Sequence, residues 1–504
     1  QMLSTDICKN DDGGKTLTQA NKENVNLSIN SDEGDDFGDC RDLDHKSTNV
    51  QKVVKAYLKF LKEDLGYEGF RYDMVKGFSA NHVGDYNTAT GIQYSVGEYW
   101  DGVSSIKNWI NNTGKKSGAF DFQFHYNMTD AIKSNNWTKL NNSSLMSDDS
   151  YRQYAITFVE NHDIQVREDK SNDSSKDPIP EKYIPAANAF MIAMPGTPCI
   201  FQPHWKAYEH ELKSMIEARK LAGITNTSSY NNYASNSLYF ANAVNGTNNR
   251  KLLVVVGPSE MTEPSKSTYT KILSGENYMY YLSSNAETAW ADKASGEYEE
   301  GFKVTLTAVS QNSNAKLVYT TNGNNPTASS TQATSGTSIN ISSSCTLKVG
   351  LLINGTVSGI RTYNYSIKRF EPYNITVYVN TDATNWKKVN FHIWSNINVK
   401  TDWPGTTITQ TKMIDGKNWY YKDFTITQKD GMLNFVFCEP NNAGTAANSQ
   451  SGDCLGINST VFIKVGPEKD GGKYVVTNVT KEVNTGIDQP ITENTGKNVN
   501  NAWY

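Results

Sequence analysis

Between residues 50 and 65 the apolar positions recur with the period of a helix: Val50, Val53, Val54, Tyr57, Leu58, Leu61 and Leu65 fall on one face. Ser47, Thr48 or Asn49 can cap its start, and Gly66 follows as a stop signal. A strand-like run over 67–75 comes next, and the alternation repeats. The pattern predicts loop and short helix over 79–90, a strand over 93–96 and a helix over 104–111. Strands over 119–124 and 154–159 follow, then a helix over 185–194, a strand over 198–201 and a helix over 211–221. Strand-then-helix units of this length predict a parallel sheet with helices outside it. Residues 1 to about 45, polar and acidic, read as loop.

After about residue 225 the pattern changes to short strands and turns, with SLYFANAV and KLLVVVG as the first of them. The expected organisation is an α/β part over 1–206, an antiparallel β domain over 207–297 and two β-sandwich modules over 298–368 and 369–480. Residues 481–504 read as a linker leading into a tail.

Composition narrows the function classes. A chain of 504 residues is too long for one core and predicts three to five domains. A net charge of −5 gives no basic surface for nucleic acid. The mean hydropathy is −0.59 and no apolar run approaches twenty residues, so no membrane span is expected. The 28 tyrosines and 10 tryptophans supply flat rings that can stack on the C–H faces of sugars, although β-rich cores favour aromatics too. The six cysteines have no metal-ligand spacing; Cys438 with Cys454 and Cys8 with Cys40 are close enough in sequence to pair, and Cys199 reads as buried and free.

Three carboxylates follow apolar strands in the α/β part: Asp73 in GFRYDMVKGF, Glu98 in SVGEYWDG and Asp163 in FVENHD. In a barrel of alternating strands and helices the carboxyl ends of the strands converge on one face, where active sites sit. One such acid is ordinarily a helix cap. Three in succession, with Arg71 before the first and His162 beside the last, would repel one another without a task.

These segments resemble the second, third and fourth signature regions of the α-amylase family, glycoside hydrolase family 13. Glu98 lies 25 residues and Asp163 90 residues after Asp73, spacings that fit the family. CRDLDH at 40–45 resembles its loop signature, and MPGTPCIF at 194–201 its eighth strand. The resemblance covers roughly 38–225 and implies the later part, about strands 4–8, of a (β/α)8 TIM barrel. It implies Asp73 as nucleophile, Glu98 as general acid/base and Asp163 as the acid that holds substrate hydroxyls. Arg71 and His162 would line the same sugar site and Lys76 would contact the next glucose; Tyr99 and Trp100 could shield the bond or pack against sugar, ordinary packing beside the strand end being the plain alternative. A retaining glycosidase needs one carboxylate to attack and one acid to protonate the leaving oxygen. Arg71 would favour ionised Asp73, and like-charge neighbours would keep Glu98 protonated.

Asp42 matches a calcium ligand of the family, with a backbone carbonyl at Gly77, where the family usually carries His. The family's first signature region is found nowhere in the chain. The sequence therefore reads as N-terminally truncated, with the expectation that this chain alone would fold poorly or be inactive.

Residues 298–368 resemble small fibronectin-like linkers. Residues 372–480, with ITVYVN, KVNFHIWS, TDWPG and NWYYKDF, resemble starch-binding modules of carbohydrate-binding module family 26. His392 and Trp394 alternate onto one strand face, and Trp403 follows in a loop; together they are expected to bind starch, with Gln450 and Asp453 supplying polar contacts. Trp394 or Trp419 as core packing is the plain alternative. NNAWY resembles the start of a bacterial sorting segment, which implies export or cell-surface display. The resemblance implies an endo-acting α-1,4-glucan hydrolase with starch as partner. Alternatives are a transferase, isomerase or debranching enzyme of the family, or a non-catalytic starch-binding surface protein.

Overall fold

The computed structural model describes residues 1–10, 12–38, 40–164 and 178–483. The chain forms two compact units, 1–367 and 368–504. The tail segment NNAWY lies outside the described residues.

The first unit is built on a five-stranded parallel sheet, in the order β1 (Gly69–Tyr72), β2 (Tyr94–Gly97), β3 (Gly118–Phe120), β4 (Ala155–Phe158) and β5 (Thr197–Cys199). Sequence neighbours are sheet neighbours throughout, as in one side of a β/α barrel. The helices are α1 (Lys15–Glu23), α2 (Thr48–Glu63), α3 (Ala80–Thr90), α4 (Val103–Asn112), α5 (Phe122–Lys133), α6 (Ile184–Ala193) and α7 (Gln202–Ala222). The Ser47 side chain caps α2, accepting from the amides of Asn49 and Val50. Apart from Asn188, helix α6 is apolar, and it is buried over Pro185–Ala193, as a helix without a polar face must be. Gly97 ends β2 against α4: a Cβ there would fall 2.2 Å from the Trp109 ring, so any side chain would push the helix off the sheet.

The structure departs from the expected elements at definite places. The run 119–124 is strand only to Phe120; Asp121 then accepts from the Phe124 amide and caps α5, a helix the alternation in AFDFQF concealed. Helix α1 lies within the stretch expected to be loop, α3 is a full helix, and α7 begins well before residue 211, with a kink at Tyr208.

No disulfide joins any of the six cysteines. Cys438 lies opposite Asn390 while Cys454 lies opposite Phe435; three residues apart along one strand, 435 and 438 face opposite sides of the sheet, so the two thiols cannot meet. The Cys8 amide bonds to the Asp42 carbonyl, a register that sets the buried Cys8 beside Asp42 and leaves Cys40 exposed. Cys199 is exposed rather than buried, because β5 is an edge strand of the open sheet.

After α7 the described residues are all β apart from short 3-10 turns: a five-stranded antiparallel sheet over 230–283, then sheets of three and five strands over 288–367. The second unit packs two further sheets around Phe391, Phe435, Phe437, Val377 and Ile463. Among the described residues no helix is long and apolar enough to cross a membrane.

Candidate active site

Register brings the first two acids together. Tyr72 at the end of β1 pairs with Gly97 at the end of β2, so the next residue on each strand, Asp73 and Glu98, emerges side by side. The Glu98 amide donates to the Tyr72 carbonyl at 2.9 Å, and the Val75 amide returns to the Glu98 carbonyl at 3.2 Å. Arg71 bridges the pair, with Nη1 at 2.7 Å from Asp73 Oδ1 and Nη2 at 3.1 Å from Glu98 Oε2. The Met74 amide also donates to Glu98 Oε2, at 3.1 Å.

The two acids differ in surroundings. Glu98 is 6% exposed, whereas the Asp73 side chain is 67% exposed. Burial, and then a hydrogen bond with Asp73, push the Glu98 pKa up to about 7. Burial pushes Asp73 the same way, but the hydrogen bond with Glu98, Arg71 and the nearby His162 outweigh it and hold Asp73 below the ordinary aspartate value. One carboxyl is thus kept protonated and its neighbour ionised, the division of labour that acid–base chemistry on a shared bond requires.

Asp163 arrives from β4, in a turn where Asn161 Oδ1 accepts from the Asp163 and Ile164 amides at 3.0 Å each. Its carboxylate lies 3.3 Å from His162 Nε2, and both side chains are open to solvent. Lys76 stands between Asp35 at 3.0 Å and Asp101 at 3.2 Å, and its ammonium lies over the Tyr99 ring. Trp100 is stacked on Phe122 at 4.8 Å and donates its indole N–H to the Tyr126 hydroxyl at 2.7 Å, leaving an exposed ring. Asp35, Asp101 and Tyr126 were not singled out in the sequence. Asp101 lies next to Trp100 in VGEYWDG, and Tyr126 sits on the helix hidden behind AFDFQF.

The Asp42 carboxylate comes together with that of Asp32 and with the Cys8 thiol, their ligand atoms within 4.8 Å of one another. Two carboxylates suit a hard cation such as calcium, and a thiol does not. Gly77 contributes no side chain. Its carbonyl lies against Gly34, where a Cβ would fall 2.5 Å from the oxygen, so the 32–36 loop rests directly on the Lys76–Gly77 backbone.

In the second unit Phe391 and Ile393 point into the core, which turns His392 and Trp394 to the other face. His392 lies 5.7 Å from the Trp394 ring and 5.2 Å, edge-on, from Trp403, which is 46% exposed. Trp419 is fully buried, packed with Phe462 and Val479 in a small cluster apart from the Phe391 core. Gln450 is half-buried opposite Cys438 on the same sheet, while Asp453 is paired with Lys473 at 3.3 Å.

Several relatives of this chain are alpha-amylases and other glucan hydrolases. Probable alpha-amylase 2 of Arabidopsis thaliana is 27% identical over 270 residues, covering 49% of this chain and 63% of the plant protein. The glucan 1,4-alpha-maltotetraohydrolase of Stutzerimonas stutzeri is 27% identical over 48% of this chain and 46% of its own length. The alpha-amylase of Bacillus licheniformis is 27% identical over 36% of this chain and 38% of its own length. The chain thus spans under two thirds of these relatives. An Anoxybacillus alpha-amylase structure aligns with a TM-score of 0.39 and 12% identity, over 53% of this chain and 75% of that one. The family described as chitobiase/beta-hexosaminidase C-terminal domain matches residues 293–361, within the β-rich end of the first unit.

Proposed function

We propose that this chain carries the catalytic acids of a retaining, endo-acting α-1,4-glucan hydrolase with starch-type chains as substrate. The observation that carries the reading is the Asp73–Arg71–Glu98 arrangement, with one acid held ionised and the other held protonated. Asp73 attacks the anomeric carbon while Glu98 gives its proton to the leaving oxygen; Glu98 then takes a proton from the water that releases the sugar. One guanidinium holds both carboxyls, which fits the spacing of about 5–5.5 Å that a retaining enzyme uses better than the about 6.5–9.5 Å that leaves room for water in an inverting one. Asp163 and His162 hold hydroxyls of the reacting sugar, and the exposed face of Trp100 offers a stacking surface beside Glu98. If calcium is bound, the Asp32 and Asp42 carboxylates would hold it, at the start of the loop that carries Asp35 against Lys76.

The test is made on the intact gene product with soluble starch, following viscosity and reducing ends together. A rapid fall in viscosity with few new ends fits internal cleavage. Loss of viscosity without new ends points to a transferase, and starch retention without turnover to a binding protein.

The pH dependence has a definite sign. Glu98 must be protonated, so kcat/KM is expected to fall as pH rises through about 7; Asp73 must be ionised, so the acid limb lies below the ordinary aspartate value of 3.8. An alkaline limb near 4.5, the ordinary glutamate value, would overturn the assignment of Glu98.

The second unit is read as the starch-holding part, on the ring cluster of His392, Trp394 and Trp403. Changing Trp394 and Trp403 together to alanine is expected to weaken retention on insoluble starch about tenfold or more, the scale of losing an aromatic anchor. Turnover of short soluble maltooligosaccharides should stay within about twofold, since those substrates need no second holding site. Equal retention by the double variant would sink this reading.

A further inference from the structure

Behind the Asp163 turn lies a buried polar chain that the mechanism above leaves unused. Glu160 is 3% exposed, and its carboxylate meets His204, whose Nε2 stands 2.9 Å from Oε2. The other oxygen, Oε1, accepts from the Ile179 amide at 2.6 Å. His204, near the start of α7, meets the Asn188 amide nitrogen at 3.2 Å through Nδ1. That same amide nitrogen donates to the Ile184 carbonyl at 2.9 Å. Both amide hydrogens are thereby engaged, so Nδ1 of His204 accepts and its Nε2–H donates to Glu160. The donors run in one direction, Asn188 to His204 to Glu160.

One residue earlier a second imidazole does similar work. His125 of α5, 1% exposed, lies with Nδ1 at 2.6 Å from the Val159 carbonyl. Burial holds its pKa down, so the ring is neutral and its single N–H points at that oxygen. Two buried histidines from two helices therefore hold consecutive residues of the segment that leads from β4 to His162 and Asp163. A buried carboxylate is poorly suited to packing alone, where an apolar residue of the same volume serves as well or better. What it supplies is a fixed direction at each oxygen.

We propose that Glu160, clasped by His204 and by the Ile179 amide, is a positioning residue that sets the orientation of the Asn161–Asp163 turn toward the reacting sugar. The turn is rigid within itself through Asn161, and the clasp ties the residue just before it to α7 and to the segment at Ile179. Glu160 touches no substrate. This inference rests on the α-glucan hydrolase reading.

The test compares Glu160→Gln, His204→Gln and His204→Leu in the intact gene product, with thermal melts to measure the folded fraction. Glu160→Gln and His204→Leu are expected to lower kcat on soluble starch by about 10- to 100-fold per folded molecule, the cost of a misaligned group, with KM changed far less. His204→Gln, whose amide can donate to Glu160, should recover most of that rate. Affinity for a cationic transition-state mimic should fall in parallel with kcat, while retention on insoluble starch stays constant. A purely structural role predicts normal kcat in whatever fraction is folded, and kcat within twofold of wild type for Glu160→Gln overturns the proposal. Should Glu160→Gln not fold, the two His204 variants carry the same comparison. If the wild-type protein cleaves no α-glucan, the functional reading fails by itself. The clasp is then judged by the backbone amide resonances of His162 and Asp163, which must move in the His204→Leu variant and not in His204→Gln; unmoved resonances overturn it.

Discussion

Asp73→Asn is expected to abolish starch hydrolysis, with a loss on the order of 10⁴-fold or more, the scale seen when a nucleophile that acts in concert with a neighbour is removed. The variant isolates chemistry from structure. Asparagine keeps an oxygen to accept from Arg71 Nη1, now 2.7 Å from Asp73 Oδ1, and the side chain is 67% exposed, so folding should be little affected. A melting temperature close to wild type with no turnover is the expected pair of results. The same change carries a second, independent readout. The hydrogen bond and the charge of Asp73 both help hold the Glu98 proton. Removing the charge should therefore lower the Glu98 pKa from about 7, visible in a carboxyl NMR titration. An unchanged Glu98 titration would mean that burial alone sets it, and substantial residual hydrolysis would remove Asp73 from the role of nucleophile.

How much of this was legible in the sequence depends on whether the signal was local. Asp73 and Glu98 each follow an apolar strand, and parallel pairing in register brings them side by side, so pattern alone predicted their convergence. Helix α2 was legible for the same reason: its period, its cap at Ser47 and its stop at Gly66 are all written in adjacent residues. Helix α5 was not, because AFDFQF alternates like a strand, and only the tertiary fold shows Asp121 accepting from Phe124 as a cap. That miss hid Tyr126, the partner of Trp100. Proximity in sequence misled for the cysteines: Cys438 and Cys454 are close along the chain but on opposite faces of their sheet, a matter of strand parity rather than distance.

Buried polar groups were the least legible. Glu160 sits inside FVENHD, and its partners come from α7 and the segment at Ile179, each far along the chain. Asp32 meets Asp42 only because the loop folds back past Gly34, a position that tolerates no side chain. Such contacts are set by packing of distant segments, and no short-range periodicity encodes them. The ring cluster of His392 and Trp394 was legible by alternation, since Phe391 and Ile393 alternate with them as the obvious core residues. Trp403 joins them from a loop, where alternation gives no guidance.

Glu98→Gln tests the other half of the pair, and its signature is dependence on the leaving group. On starch, the departing sugar oxygen needs a proton, and loss of the general acid is expected to lower turnover by about 10²- to 10⁴-fold. A glycosyl fluoride needs no such proton, so attack by Asp73 should proceed in the variant. Release of the sugar then requires a base to activate water, and glutamine cannot act as one. The first step is spared and the second is slowed, so the covalent glycosyl adduct on Asp73 should accumulate. A burst of fluoride about equal to the enzyme present, with an added glycosyl mass on the peptide containing Asp73, is the expected result. The substitution also tests the geometry: the oxygen of the new side-chain amide would still accept from the Met74 amide and from Arg71, each now 3.1 Å from Glu98 Oε2, so the site should keep its shape. An equal loss on starch and on the fluoride, with no adduct, would mean that Glu98 holds the site together rather than moving a proton, and the retaining mechanism would have to be abandoned.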